Sequence, residues 1–152
     1  MGLIKKKEHQ TMRQTYLLDT NIISEVTKQN PNENVLSFYI NRKDLCAISA
    51  ITWQEMIKGF HRMPEGKKKD SINNFINRLE ENTLIIPYDK FASQICGELQ
   101  AKMESKGIPI PFSDSQIAAT ALSNGMILVT HNTKDFKEIQ ENTFLQIEDW
   151  FA

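Results

Sequence analysis

The chain is predicted to fold as an α/β protein: one domain, with a mostly parallel central sheet of about five strands and helices on both faces. Three observations predict this. Short apolar runs alternate with stretches whose apolar residues recur at helical spacing, the pattern of strand–helix–strand units. The length, 152 residues, suits a single domain with a sizeable core. Four carboxylates, Asp19, Glu55, Asp114 and Asp135, each stand at a junction between a strand-like run and a helix-like stretch. Acids at the carboxyl ends of strands in such a fold converge on one crevice.

The elements follow in order. Residues 1–14 are polar and aperiodic and are expected to form a loose tail, leaving 15–152 as the domain. Tyr16-Leu17-Leu18 predicts the first strand and residues 20–27 a short helix. Asn30-Pro31-Asn32 breaks the chain. Residues 34–41 predict a helix with Val35, Phe38 and Tyr39 on one face, and residues 45–48 the second strand. A helix starting near Thr52 carries Met56, Ile57 and Phe60, and stops at Met63-Pro64-Glu65-Gly66. Ile72, Phe75, Ile76 and Leu79 mark the next helix, and Leu84-Ile85-Ile86 the third strand. Phe91, Ala92, Ile95, Cys96, Leu99 and Met103 share the apolar face of a long helix ending at Gly107. The alternating prolines of residues 108–111 require extended chain. Residues 113–124 form a compact helix stopped by Gly125, and residues 126–129 a fully apolar fourth strand. A short turn or helix is expected over 134–138, then a last strand at 144–147.

Composition excludes several classes. A net charge of −1 carries no global basic signal of a nucleic-acid binder. Positive charge is local, at Lys5 to Lys7, Arg42-Lys43, Lys67 to Lys69, and Lys102 with Lys106, and each cluster also reads as solvated surface. The apolar runs fall well short of the roughly 18 residues of a membrane helix. Lys5-Lys6-Lys7 is followed by no apolar stretch, so no secretory signal is read and a cytoplasmic location is expected. Cys46 and Cys96 stand alone inside apolar patterns and read as reduced core residues, with neither a disulfide nor a zinc site expected.

Each acid also has a purely structural reading. Asp19 could cap the helix that starts at Thr20. Thr52-Trp53-Gln54-Glu55 and Ser113-Asp114-Ser115-Gln116 both match the capping box, and Asn132 could cap a helix with Asp135 in its first turn. The set carries more than its members. Asp19, Glu55 and Asp135 follow three different strand-like runs, and Asp114 opens the helix leading into the last of them. Clustered carboxylates raise one another's pKa and call for a compensating cation. Oxygen-only ligands suit Mg²⁺ or Mn²⁺, which leads to phosphate chemistry.

These residues also carry a family resemblance. Residues 16–25, Tyr-Leu-Leu-Asp-Thr-Asn-Ile-Ile-Ser-Glu, resemble the opening motif of the PIN-domain ribonucleases. Ile48-Ser-Ala-Ile-Thr-Trp-Gln-Glu55 is similar to their second motif, residues 111–119 to the third, and residues 128–136 to the fourth, in the same order. Among PIN domains the chain resembles the VapC-type toxins of bacterial toxin–antitoxin pairs. The resemblance implies that Asp19, Glu55, Asp114 and Asp135 are the metal-binding acids; within the set, the mechanism of phosphodiester hydrolysis leads us to expect Asp19 and Asp114 as direct ligands. Glu55 and Asp135 then act through water or as general base. Thr20, Asn21, Thr130 and Asn132 match the polar residues around them. Glu25 is either a supporting acid or helix surface. His131 stands where the family often has a basic residue such as Arg.

The expected activity is Mg²⁺-dependent hydrolysis of structured RNA such as tRNA or rRNA, with a single-stranded loop as target because duplex RNA hides its bases. Expected partners are the RNA, a VapB-type antitoxin and a second copy of the chain, with no membrane. Phe38, Tyr39, Trp53, Phe60 and His61 are either a groove for an antitoxin helix or ordinary core. A second reading keeps the fold without catalysis, as an RNA- or protein-binding module.

Overall fold

The structure, a computed structural model, describes residues 14–152. The tail expected over 1–14 lies, but for its last residue, outside the described residues. Five strands, β1 (Tyr16–Leu18), β2 (Cys46–Ser49), β3 (Leu84–Ile86), β4 (Ile127–Val129) and β5 (Ile147–Glu148), form one sheet in the order β3-β2-β1-β4-β5. Every pairing is parallel; Tyr16 lies opposite Cys46 on one side and Ile127 on the other. The helices are α1 (Thr20–Val26), α2 (Glu33–Arg42), α3 (Ala50–Arg62), α4 (Lys67–Asn82), α5 (Lys90–Ser105), α6 (Phe112–Ser123) and α7 (Thr133–Asn142), with a 3₁₀ turn at Lys43–Leu45.

The strand order has a direct consequence. From the central β1 the chain builds outward on one side through β2 and β3, then returns to add β4 and β5 on the other. The reversal puts a crevice outside the carboxyl ends of β1 and β4. Asp19 immediately follows β1 and Thr130 immediately follows β4.

Successive strand residues point to opposite faces, and in the central strands both faces are buried. Leu17, Ala47, Ile86 and Leu128 face a layer containing Leu99 and Met103 of α5, Ile117 and Ala121 of α6, and Phe136 of α7. Leu18, Cys46, Ile48 and Val129 face Ile22 and Ile23 of α1, Val35 of α2, Leu79 of α4, and Trp150. Helices therefore cover both faces, as the alternating pattern predicts. Helix ends obey local chemistry. Gly107, at φ +71°, lets Ile108 N–H donate back to the Met103 carbonyl at 2.9 Å, and Gly125, at φ +62°, ends α6. Cys46 and Cys96 are free and buried, and burial pushes the Cys46 thiol up to about 12.

Several local readings are corrected. The cap of α3 is Ser49, whose Oγ accepts from Thr52 N–H at 3.0 Å, so the expected capping box at Thr52 does not form. The N-cap of α6 is Pro111, without a side-chain bond, and Ser113 lies inside the helix. Asn132 occupies the N-cap position of α7 without donating or accepting there through its side chain. That helix runs ten residues rather than a short turn, because Phe136 and Ile139 anchor it in the core. The last strand begins at Ile147, and Phe144 is 99% exposed. Phe91, in the first turn of α5, is 73% exposed instead of joining the buried face formed by Ala92, Cys96, Leu99 and Met103.

Candidate functional site

Asp19 is the pivot of the crevice. Its backbone N–H donates to the Val129 carbonyl at 2.9 Å, extending the β1–β4 ladder by one step. Its side chain is buried and caps α1: Oδ1 accepts from Thr20 N–H at 2.8 Å. Oδ2 accepts from Thr130 Oγ1 at 2.8 Å and from Asn21 Nδ2 at 3.2 Å. A carboxylate offers about four lone-pair positions, two on each oxygen. Both positions on Oδ2 are engaged, whereas Oδ1 keeps one. Burial pushes the Asp19 carboxyl up; the bonds from Thr130, Thr20 and Asn21 draw it back only in part, and Asp135 adds to the rise.

The polar residues around Asp19 bind α1 to the loop after β4. Thr130 is fully buried and, while donating to Asp19, accepts from Asn132 N–H at 3.0 Å. Asn21 Nδ2 lies 3.3 Å from Thr130 Oγ1, and Asn21 Oδ1 accepts from His131 N–H at 3.0 Å. This network fixes the Asp19 carboxylate in one orientation.

Glu55 sits in the second turn of α3, a consequence of the Ser49 cap, and its Oε2 accepts from Thr20 Oγ1 at 2.7 Å. Asp114 lies in the first turn of α6. Its carboxyl is pushed up to about 6, first by burial and then by the charges of Asp19, Asp135 and Glu55. The four acids thus share one field, as clustered carboxylates do.

Asp19, Thr20, Asn21, Glu55, Asp114 and Asn132 line a cleft of about 640 Å³. Two of the expected residues stand apart from its wall. Thr130 lies behind Asp19, and Asp135 is exposed on the first turn of α7, acting on Asp19 and Asp114 by charge. The cleft is also lined by Ser24, Ser113 and Ile117, which lie within the quoted motifs without having been singled out as site residues, and by Lys28 and Phe151, which lie outside every motif. Helical spacing from Asn21 through Ser24 to Lys28 could have found two of them. Glu25 also lines the cleft and is buried, accepting from Asn32 N–H at 2.8 Å and pairing with Lys28 at 2.8 Å; these two donors hold its carboxyl below the usual range.

The donor set fits a hard divalent cation. It is all oxygen, and Asp19 keeps one lone pair available beside a carboxylate whose neighbours disfavour its charge. Among the described residues no group of three or more Asp, Glu, His or Cys side chains is gathered around one point. The wall of the cleft suits an ion held by one or two carboxylates that keeps its waters, as Mg²⁺ does.

A family model of the PIN domain matches residues 16–142. The tRNA(fMet)-specific endonuclease VapC of Shigella flexneri is 33% identical over 137 residues, covering 89% of this chain and 97% of that protein. The chain superposes on DNA-bound VapBC from Salmonella typhimurium with a TM-score of 0.78 at 27% identity, covering 90% of this chain and 98% of that one. For FitAcB from Neisseria gonorrhoeae the TM-score is 0.76 at 29% identity, covering 91% and 99%. Among the described residues no helix is long and apolar enough to cross a membrane. An all-parallel sheet, a PIN-domain model matching residues 16–142 and 33% identity to a VapC endonuclease over 89% of the chain place this protein in the PIN-domain family, among the VapC-type ribonuclease toxins.

Proposed function

We propose that residues 15–152 form a Mg²⁺- or Mn²⁺-dependent endoribonuclease that cuts structured RNA, such as tRNA or rRNA, and so inhibits translation as the toxin of a toxin–antitoxin pair in the cytoplasm. The observation that carries this reading is the meeting of Asp19, Glu55 and Asp114 in one cleft, with burial and the charges of Asp19, Asp135 and Glu55 raising the Asp114 carboxyl to about 6. Such mutual repulsion is offset by a bound cation.

Asp19, through Oδ1, and Asp114 would hold the ion, which supplies Lewis-acid stabilisation of phosphate and a more acidic water. Thr130 and Asn21 orient Asp19 by occupying Oδ2, and their bonds oppose the effect of burial by favouring its charged form. Thr20 holds Glu55 at the rim by a 2.7 Å bond, where it can accept a proton from an attacking water or ligate through one. Asp135 contributes negative potential from outside the wall and would reach the ion through a water. Asn132 orients water at the mouth of the cleft.

A second groove, of about 400 Å³, is continuous with the first through Thr20, Ser24 and Glu55. Ile23, Met56, Phe60, Ile72, Phe75 and Ile76 make it apolar. Phe38, Tyr39 and Trp53 pack on the core instead, so of the expected aromatics only Phe60 lines this groove. A helix of a VapB-type antitoxin fits here with its apolar face down, and a basic side chain following it would reach the acids. Lys68, on the groove wall, and its neighbour Lys67 offer contacts to the RNA backbone, whereas Lys69 is paired with Glu65 at 3.0 Å. A homodimer is proposed as the active form on the family resemblance alone.

The test is cleavage of total RNA with Mg²⁺, with and without EDTA, for wild type and Asp19→Asn. Metal-dependent cutting lost in the variant supports the reading. Equal cutting by both proteins sinks it, and intact RNA binding without any cleavage favours the binding-module alternative. Sequencing RNA ends after brief induction in cells identifies the target.

A further inference from the structure

The carboxyl-terminal segment brings a histidine–aspartate pair to the mouth of the cleft. Asp149 carries its carboxylate oxygens to 3.2 and 3.3 Å from His131 Nδ1. Phe151 stacks on the imidazole, with ring centroids 3.9 Å apart and planes inclined by 27°. Asp149 Oδ1 also accepts from Phe151 N–H at 3.0 Å, so the two partners of the ring hold each other. The His131 backbone N–H is bound to Asn21 Oδ1 in the Asp19 network. The ring is thus held at one nitrogen, on one face and at its backbone, while its side chain remains 53% exposed and lines the cleft.

Charge gives this arrangement a purpose. An RNA phosphate entering the cleft meets Asp19, Glu25, Glu55 and Asp114. Two lining residues can carry positive charge, His131 and Lys28, and the Lys28 ammonium is paired with Glu25. With Nδ1 committed to Asp149, the imidazole has Nε2 left, and that nitrogen donates when the ring is protonated.

We propose that His131 is a substrate-binding residue: its Nε2–H donates to a non-bridging phosphate oxygen of single-stranded RNA flanking the cut, with Asp149 and Phe151 as positioning residues. The inference rests on the ribonuclease reading above. It adds a phosphate subsite beside the acids, built by a segment 18 residues downstream of His131.

The test uses the full chain and total bacterial tRNA as the probe, measuring binding by filter retention with Ca²⁺ and cleavage with Mg²⁺. Removing one charge-assisted bond, as in His131→Asn, is expected to weaken binding and raise KM roughly tenfold, with a smaller change in kcat. The slope of log affinity against log salt should fall by about 0.7, the value for one phosphate contact on a single strand. His131→Arg, a permanent cation, should recover most of the affinity and the slope. Asp149→Asn should lose part of both while its melting temperature stays near that of wild type. Unchanged affinity and salt slope in His131→Asn overturn the inference while leaving the ribonuclease reading intact, provided wild type cuts. A loss that Arg fails to reverse also overturns it, as a merely structural role. Failure of wild type to bind or cut the tRNA and, in the same assay, rRNA sinks the ribonuclease reading and this inference with it.

Discussion

Thr130 Oγ1 donates a 2.8 Å hydrogen bond to Asp19 Oδ2, joining residues 111 positions apart in a fully buried contact. It links the carboxyl ends of the two strands that flank the switch point, and through Asn132 N–H it also ties down the start of α7. Thr130→Val keeps the shape and removes the hydroxyl. Both Asp19 Oδ2 and Asn132 N–H lose a partner, so the variant should be destabilised by about 1–3 kcal/mol. Because the lost bond lowers the Asp19 pKa, cleavage should also need a higher pH than in wild type. Thermal melting and a pH–rate profile check both; unchanged values in each would show that the contact is idle.

Asp114 makes stability depend on pH in a defined direction. Its carboxyl rises from an ordinary 3.8 to about 6 on folding. Between those values the folded chain binds more protons than the unfolded one, so this group's contribution falls as pH rises from about 4 to about 6. Asp114→Asn removes the titration and should stabilise the metal-free protein at pH 7 by about 1 kcal/mol, after discounting for partial solvent screening. Melting curves of both proteins in EDTA across this range should diverge as pH rises. Parallel curves would contradict the shared field of the four acids.

Cation binding should reverse that penalty. Mg²⁺ at about 100 times its dissociation constant would stabilise wild type by about 2.7 kcal/mol. At pH 7 the melting temperature should rise on adding Mg²⁺ and fall back with EDTA. Asp19→Asn, which loses the charge of the pivotal carboxylate, should melt as a folded protein yet show little of this shift. A full shift in the variant would remove Asp19 from the metal site.

Trp150 anchors the segment that carries Asp149 and Phe151. It is buried, stacks on Phe38 at 5.5 Å and meets Tyr16 edge-on at 5.4 Å. Trp150→Ala should cost about 3–5 kcal/mol, as for other large aromatic truncations in a core. Urea unfolding measures it; a loss below about 1 kcal/mol would mean that the terminus is only loosely docked.

The elements were legible wherever pattern and punctuation agreed. Leu17-Leu18, Ile85-Ile86 and Leu128-Val129 are too short and too apolar for anything but buried strands in this context, and Gly107 and Gly125 end their helices as read. Caps were less legible. Ser49 and Thr52 are both competent N-caps, and the choice between them moves Glu55 from the first turn, where it would serve the backbone, to the second, where it meets Thr20. Ser and Thr have similar capping preferences, so the local sequence alone does not choose between them.

From residues alone, the chain's α/β alternation, its four acids and the polar groups beside them could be named, since periodicity and side-chain chemistry are local properties. The arrangement of those groups was settled by long-range contacts. Strand order 3-2-1-4-5 placed Asp19 beside Thr130. It also left Asp135 outside the cleft wall, and docking of Trp150 carried Asp149 to His131. Each is a pairing between residues distant along the chain, and its stability comes from burying surfaces that meet only once the sheet is assembled.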